Sequence, residues 1–191
     1  MSAAAAPVTV EQFLGLPEDP AFRQELIGGE VITMARAGQP HETAKMNFTQ
    51  QLAVYFHRNP IGSVWTETGY RLGPHDAPQP DVSVILEGRL HEDNTGAIQI
   101  CPDIAIEVVS SETAAFLRTK VKLYLQYGCR AVVVAYPDLR MIQIYTTGGV
   151  RELSGEEALE VRDILPGFSV PASAFFVGLP KLTPARPRKR T

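Results

Sequence analysis

The sequence has few of the features that mark secreted, membrane or zinc-thiolate proteins. It contains only two cysteines, Cys101 and Cys129, in 191 residues, and neither has a Cys or His neighbour at metal-ligand spacing. No apolar run approaches the length of a transmembrane helix, and the opening lacks the basic start and long apolar centre of a signal peptide. We therefore expect buried, reduced thiols and a cytoplasmic protein.

The common motifs of nucleotide binding and nucleophilic catalysis are also missing. The sequence has no glycine-rich phosphate loop and no serine in the context of a nucleophile elbow. Its four histidines show no mutual metal-ligand spacing. His41, in the string PHE ahead of a helix, is interpreted as a capping or surface residue rather than as an acid or base.

Basic charge is scarce outside the C-terminal tail. The formal net charge is −3, from 18 basic and 21 acidic residues, and residues 181–191 hold five of the basic ones and none of the acidic ones. An acidic body does not offer a broad phosphate-binding surface, so contact with nucleic acid would have to be local or metal-assisted. We predict one domain over residues 1–180 and a disordered basic tail over 181–191, which either assists DNA binding or only favours solubility.

Periodic hydrophobicity predicts the secondary structure of an ordinary globular domain. A capping box at Thr9 and Gln12 predicts a short helix, Gly28 and Gly29 predict a hairpin turn, and apolar residues at helical spacing predict a helix from His41 to His57. Strands are predicted in GSVWTETGYRLG, QPDVSVILEG, DIAIEVV, AVVVAY and MIQIYTT, the last at a sheet edge, with a helix between DIAIEVV and AVVVAY. This order predicts an α/β fold in which a central mixed sheet is flanked by helices.

One carboxylate interrupts the apolar strand DIAIEVV. Ala105, Glu107 and Val109 share one side of this strand, so Glu107 projects among apolar neighbours. Burial of a bare carboxylate is costly. The group therefore either takes up a proton or meets a cation, which would be a lysine, an arginine or a metal ion.

The following helix provides one cation that faces the sheet. At about 100° per residue, Lys120 falls within the apolar arc, whereas Arg118 and Lys122 fall on the opposite side. Lys120 either extends past an apolar rim, forms a structural ion pair with Glu107, or serves a functional site. Lys122 is predicted to face water.

A second carboxylate, Asp81, begins the strand DVSVILEG. It is either a turn-forming residue or a group that meets Glu107 across the sheet. Two carboxylates held together resist joint ionisation unless a divalent cation lies between them, and hard oxygen ligands with open positions suit Mg²⁺ or Mn²⁺. Such a centre beside an ammonium group is suited to phosphodiester hydrolysis.

The order QPD, EVV and then an inward lysine resembles the PD-(D/E)XK nuclease superfamily and, more narrowly, the Uma-two family of restriction-type endonucleases. The resemblance extends over most of the chain, through TVEQFLGLPEDP, QELIGGEVITM, PHETAKMNF, QPDVSVI, PDIAIEVVS, KVKLYLQYG and LPGFSVP. It implies a restriction-endonuclease-like core with Asp81 and Glu107 as the metal-binding pair. It also implies Lys120 as a lysine that has migrated to the helix, and Glu25 as an auxiliary glutamate before the hairpin turn.

Two features depart from the family pattern. The string SSETAAF lacks the Ser-Pro-Ser turn after the glutamate strand, so the loop is predicted to be about one residue shorter. Phe116 stands where the family has an aspartate.

The resemblance implies a DNA endonuclease dependent on Mg²⁺ or Mn²⁺, and a homodimer would suit the cutting of two strands. The alternative is a catalytically silent nuclease-like fold that binds nucleic acid or another protein, in which Glu107 and Lys120 form a structural pair.

Overall fold

A computed structural model describes residues 6–17, 19–89 and 97–180. The predicted basic tail, residues 181–191, lies outside the described residues. The elements in chain order are α1 (Val10–Leu14), β1 (Phe22–Ile27), β2 (Glu30–Ala35), α2 (Gln39–Arg58), β3 (Gly62–Thr66), β4 (Val82–Leu86), β5 (Ile104–Val108), α3 (Ala114–Gln126), β6 (Ala131–Tyr136), β7 (Met141–Thr146), β8 (Gly149–Ser154), β9 (Ala158–Leu159), β10 (Val170–Pro171) and a 3-10 helix (Ala172–Phe176).

The central layer is a six-stranded sheet in the order β3-β4-β5-β6-β7-β8. Its neighbouring strands are antiparallel except for β5 and β6, which are parallel. Parallel neighbours need a crossover connection, and α3 provides it between β5 and β6. The mixed sheet flanked by helices confirms the predicted fold class.

Different helices cover the two faces of this sheet. Phe48 of α2 shares a buried cluster with Ile104 and Ile106, whereas Leu117 of α3 shares another with Ala105 on the opposite side of the same strand. All five residues of β5 are consequently buried. A strand covered on both faces explains its nearly continuous apolar sequence and makes its single carboxylate conspicuous.

The hairpin of β1 and β2 forms a separate two-stranded sheet. Its turn contains Gly28 and Gly29, whose φ angles of 60° and 80° favour glycine. Reciprocal backbone hydrogen bonds of 3.2 and 2.7 Å between Leu26 and Ala77 attach β1 to the segment that leads into β4. This attachment brings the inner face of the hairpin to the start of β4, where Asp81 lies.

Several local predictions are confirmed. The Thr9 capping box starts α1, and the predicted hairpin and long helix correspond to β1–β2 and α2. Cys101 and Cys129 are free and buried. The proline-rich end forms only short elements over the core, where Phe175 stacks on Phe48 with ring centroids 4.1 Å apart. In the part of the chain that the structure describes, no helix has the length and apolar content needed to cross a membrane.

Two strand predictions are wrong in extent or position. The strand predicted in GSVWTETGYRLG ends at Thr66, because Glu67 adopts a φ of 48° that leaves the extended region. The segment MIQIYTT forms β7 but is not an edge strand. It pairs with β8 along its full length, from Met141 opposite Ser154 to Thr146 opposite Gly149.

Candidate functional site

The predicted pair of Glu107 and Lys120 is in direct contact. Lys120 Nζ lies 2.7 Å from a carboxylate oxygen of Glu107, and only 3% of the lysine side chain is exposed. Lys120 lies on α3, which begins at Ala114, and the hydroxyl of the preceding Thr113 accepts a hydrogen bond from the Phe116 N–H. Lys122 is exposed, as the helical phase predicts. The loop after Glu107 therefore positions α3 so that one lysine turns to the sheet.

Glu25 joins this contact from the hairpin. Its side chain is fully buried in β1, and its carboxylate lies 3.0 Å from Lys120 Nζ. The hydroxyl of Tyr124, one helical turn after Lys120, donates a hydrogen bond to Glu107 Oε1 over 2.8 Å. Tyr124 is a buried residue of the apolar side of α3. Its hydroxyl additionally fixes the orientation of the Glu107 carboxylate.

Asp81 is buried immediately before β4 and has three donors around it. The backbone N–H of Val108 donates to Asp81 Oδ2 over 2.7 Å, and His41 Nε2 lies 3.1 Å from the same oxygen. Arg23 Nη1 donates to Oδ1 over 2.6 Å, and Arg23 Nη2 lies 2.8 Å from Glu25 Oε1. Arg23 thus links Asp81 to the carboxylate that Lys120 contacts.

The register of the sheet explains why Asp81 and Glu107 lie in the same region. Val82 is opposite Ile106 in the antiparallel β4–β5 ladder, so continuation of this register places Asp81 opposite Glu107. The backbone bond from Val108 holds Asp81 at this end of the ladder. Within the described residues, however, Asp81 forms no hydrogen bond or ion pair with Glu107 or Lys120.

We call the six interconnected side chains the charged network. Its members are Arg23, Glu25, His41, Asp81, Glu107 and Lys120. The interpretation of His41 as a capping or surface residue is wrong, because its side chain is buried against Asp81. Arg23 was not predicted as a site residue at all. It shares a strand face with Glu25, since alternate residues of a strand point the same way.

Burial and charge shift the proton affinities of this network in different directions. Burial raises the pKa of Asp81, but the hydrogen bond from His41 and the charges of Arg23, His41 and Lys120 outweigh it and hold that pKa well below its usual range. Burial raises the pKa of Glu107, and the charges of Asp81 and Glu25 add to this effect against that of Lys120. The pKa of Lys120 is raised because the charges of Glu107 and Glu25 outweigh the opposing effect of burial.

The network is not fully hydrogen-bonded among the residues that the structure describes. Arg23 Nε, Arg23 Nη2 and Glu25 Oε2 are buried without a hydrogen-bond partner there. Arg23 Nη2 is near Glu25 Oε1, but its N–H is not aligned for a hydrogen bond. Each unsatisfied buried group carries a desolvation penalty of about 1–3 kcal/mol. The contacts of Arg23 are therefore less complete than those of Lys120.

The donor chemistry of the site fits a hard divalent cation. Asp81, Glu107 and Glu25 supply carboxylate oxygens, which Mg²⁺ and Mn²⁺ prefer. Across residues 6–17, 19–89 and 97–180, no group of three or more His, Cys, Asp or Glu side chains is already arranged around a metal position. In this conformation, the Arg23 guanidinium supplies the positive charge beside Asp81 that a metal ion would otherwise supply.

Two cavities reach Arg23 from outside. One has a volume of about 230 Å³ and is lined by residues that include Arg23, His41, Lys45 and Glu67. The other is an open groove of about 720 Å³, whose lining includes Arg23, Glu67 and Phe22. The guanidinium thus separates the buried carboxylates from the solvent-accessible surface.

Comparison with known proteins gives the family. The model of the Uma2 (Uma-two) family, described as "Putative restriction endonuclease", matches residues 10–173. The chain belongs to the Uma2 family. The match includes every member of the charged network of this Uma2 protein. No curated protein matches the chain.

A solved structure shares the Uma2 fold described above. It is described as a "putative nuclease belonging to DUF820" from Anabaena variabilis, and it superposes with a TM-score of 0.80 at 20% sequence identity. The similarity covers 89% of this chain and 98% of the other. At this identity it supports the restriction-endonuclease-like architecture alone. The departures of the loop SSETAAF from the Uma2 pattern leave Lys120 in contact with Glu107.

Replacement of His41 by glutamine is expected to destabilise the protein by about 1–2 kcal/mol at about pH 5.5, and by less at about pH 8.5. Burial lowers the pKa of His41, but the hydrogen bond and charge of Asp81 and the charge of Glu42 outweigh this effect and that of Lys45, so the net pKa is raised. A raised folded-state pKa stabilises the fold below the unfolded-state pKa, and this contribution is lost as pH rises. Urea denaturation at both pH values measures the difference.

His57→Gln is the matched control, because His57 is exposed in the last turn of the same helix. We expect its effect to stay within about 0.5 kcal/mol at both pH values. A loss for His41→Gln that did not change with pH would contradict a charged interaction between His41 and Asp81.

Proposed function

We propose that the protein is a metal-dependent DNA endonuclease that hydrolyses phosphodiester bonds with Mg²⁺ or Mn²⁺. The observation that carries this proposal is the convergence of the Lys120 ammonium group with Glu107 and Glu25, close to the buried Asp81. Membership of the Uma2 family supports the reaction class.

In this proposal, Asp81 and Glu107 hold the metal ion and Glu25 is an auxiliary acid. The ion would supply the positive charge that polarises a phosphoryl oxygen and acidifies the attacking water. Tyr124 keeps one oxygen of Glu107 in a fixed direction through its 2.8 Å hydrogen bond. The Val108 N–H does the same for Asp81. The protein therefore orients both acids before the substrate binds.

Lys120 orients the attacking water and offsets the negative charge that develops on the phosphoryl group. Its pKa is raised by Glu107 and Glu25, so the side chain stays an ammonium group at neutral pH. An ammonium group enclosed in a buried site acts more strongly on developing charge than it would in water. Because two carboxylates fix the Nζ position, little reorganisation is needed during the reaction.

DNA would approach through the two cavities that meet at Arg23. The acidic composition of the body restricts phosphate contacts to this local region. A homodimer with two-fold symmetry would present one site to each strand of a duplex. Sedimentation equilibrium tests this part of the proposal, and a monomer at cleavage-competent concentrations would remove it.

Glu107→Gln is expected to reduce metal-dependent nicking of supercoiled DNA by at least about 100-fold. Glutamine keeps the volume and can still accept the hydrogen bond from Tyr124, but it removes the negative charge beside Lys120. The assay follows conversion of supercoiled plasmid and cutting of single-stranded DNA, each with Mn²⁺ or with a chelator. Circular dichroism first establishes that the variant is folded.

The matched control is Glu152→Gln, which removes an exposed glutamate from strand β8. We expect the control to nick DNA at the wild-type rate. Nicking by folded Glu107→Gln at that same rate, or wild-type nicking that survives chelation, would contradict the proposed mechanism.

A catalytically silent fold is the second candidate function. It is favoured by one observation, which is that Arg23 and Lys120 already compensate most of the charge of the three carboxylates. Such a protein would act as a nucleic-acid-binding or protein-interaction module. Retardation of DNA in a gel without any cleavage in Mg²⁺ or Mn²⁺ would support the binding module over the nuclease.

A further inference from the structure

Arg23 is the member of the charged network that lies between the carboxylates and the surface. Its Nη1 donates to Asp81 over 2.6 Å, and its Nη2 lies 2.8 Å from Glu25. We propose that Arg23 is an internal counter-cation that competes with the divalent ion for Asp81 and must withdraw before that ion binds. This proposal rests on the proposed function, because it concerns the metal site assigned there.

The charge balance of the site favours exchange over simple addition. Asp81, Glu25 and Glu107 contribute three negative charges when ionised, and Arg23 and Lys120 contribute two positive ones. With neutral His41 one negative charge remains, and with protonated His41 the site is neutral. In either state a divalent ion added beside Arg23 would raise the charge of the site by two and make it net positive, whereas a divalent ion that replaces Arg23 would raise the charge by only one. Excess charge in a buried site is unfavourable, so the second arrangement is preferred.

Arg23 is also better placed to withdraw than Lys120. The Arg23 side chain is 17% exposed and borders both cavities, whereas the Lys120 side chain is 3% exposed. Among the described residues, Arg23 Nε has no hydrogen-bond partner to lose, and Nη2 would give up an ion pair with Glu25 whose N–H is not aligned for a hydrogen bond. Glu67 lines both cavities, and its carboxylate, which contacts Lys45 Nζ through Oε1 over 2.9 Å, has a second oxygen towards which the guanidinium can turn. Withdrawal of Arg23 would free Asp81 Oδ1 and leave the Val108 and His41 contacts in place.

Mn²⁺ binding by calorimetry tests this competition. Arg23→Met keeps an unbranched side chain of similar length and removes the charge. If the Arg23-withdrawn state is a minor population, removal of the competitor should tighten the Mn²⁺ dissociation constant by about tenfold or more. Arg36→Gln is the matched control, because Arg36 lines the same two cavities but donates to the backbone oxygen of Pro20. We expect the control to bind Mn²⁺ as the wild type does.

The outcomes separate the two proposals. Equal Mn²⁺ affinity of wild type and folded Arg23→Met, or weaker binding by the variant, would overturn the counter-cation role while leaving the metal site intact. An equal decrease in the Mn²⁺ dissociation constant of Arg36→Gln would overturn it too, because removal of any nearby positive charge would then be enough to tighten binding. Absence of Mn²⁺ binding in every protein would overturn both the counter-cation role and the metal-dependent function.

A measurement on the wild type covers the case in which Arg23→Met does not fold. Arginine side-chain Nε–H signals are recorded by NMR, with the Arg23 signal identified from the spectrum of Arg23→Lys. The buried Nε–H should exchange slowly with water in the free protein, and exchange should accelerate as Mg²⁺ is added. An Arg23 signal that stays protected after calorimetric saturation with Mg²⁺ would overturn the proposal.

Discussion

Replacement of Lys120 by methionine should lower the free energy of unfolding by about 3–5 kcal/mol and abolish metal-dependent cleavage of DNA. Lys120 is 3% exposed and lies 2.7 Å from Glu107 and 3.0 Å from Glu25. Methionine fills most of the vacated volume but leaves two buried carboxylates without their shared cation. Urea denaturation measures the stability loss, and plasmid nicking by the folded fraction measures the activity.

Proton uptake should relieve part of this loss. Without Lys120, a buried glutamate can avoid its charge by holding a proton, so the variant should recover stability relative to wild type as pH falls towards the pKa of Glu107, which burial raises to about 7 even with Lys120 present. Lys122→Met provides the comparison on the exposed side of the same helix, where we expect a change within about 0.5 kcal/mol and normal nicking. Wild-type activity in folded Lys120→Met would exclude Lys120 from the mechanism, and unchanged stability would show that the ion pairs contribute nothing net.

Asp81→Asn should abolish the rise in melting temperature that Mn²⁺ produces in the wild type. A ligand at about 100 times its dissociation constant stabilises the folded state by about 2.7 kcal/mol, and the variant lacks one of the two proposed ligand charges. The substitution should also destabilise the metal-free protein by about 3 kcal/mol, because Arg23 loses the negative charge of its 2.6 Å partner. Scanning calorimetry with and without Mn²⁺ measures both effects.

The stability loss in Asp81→Asn should decrease as the pH is lowered. The pKa of Asp81 is held below its usual range, so its stabilising contribution is complete above the unfolded-state pKa and is lost as pH falls. Wild type and variant should therefore converge in stability below about pH 4. Asp138→Asn, in the exposed turn between β6 and β7, should change neither property. A metal-induced shift that persists in Asp81→Asn would remove Asp81 from the metal site.

The position of Lys120 could be predicted because helical geometry fixes it within a few residues. A helix turns by a constant angle per residue, so an apolar arc identifies the one lysine that faces the sheet. The same reasoning applied to α2 would have found His41. It lies three residues before Ala44 and seven before Phe48, and all three are buried on one face. A helix predicted to begin at His41 makes this residue a terminal one. The structure begins α2 at Gln39, so His41 lies inside the first turn and belongs to the buried face.

The role of Arg23 could not be predicted from local sequence. Arg23 and Asp81, which form an ion pair, are 58 positions apart in the sequence. Arg23 belongs to the hairpin, whereas Asp81 lies at the start of a strand in another sheet. No periodicity within either segment specifies that the two meet. Strand β8 is a different case, because Gly148 and Gly149 after MIQIYTT are the same hairpin signal that identified Gly28 and Gly29. Its mostly exposed residues gave no apolar pattern to support that signal.

The contributions of the elements to the charged network suggest an order of assembly during folding. Glu107 and Lys120 are 13 residues apart in one strand-to-helix connection, whereas Glu25 and Lys120 are 95 residues apart. Closing a longer loop has a larger entropic cost, so the nearer pair should meet first and the hairpin should dock onto it later. Before the hairpin docks, the folding chain would already contain the ammonium–carboxylate pair, but this pair would still be exposed to water.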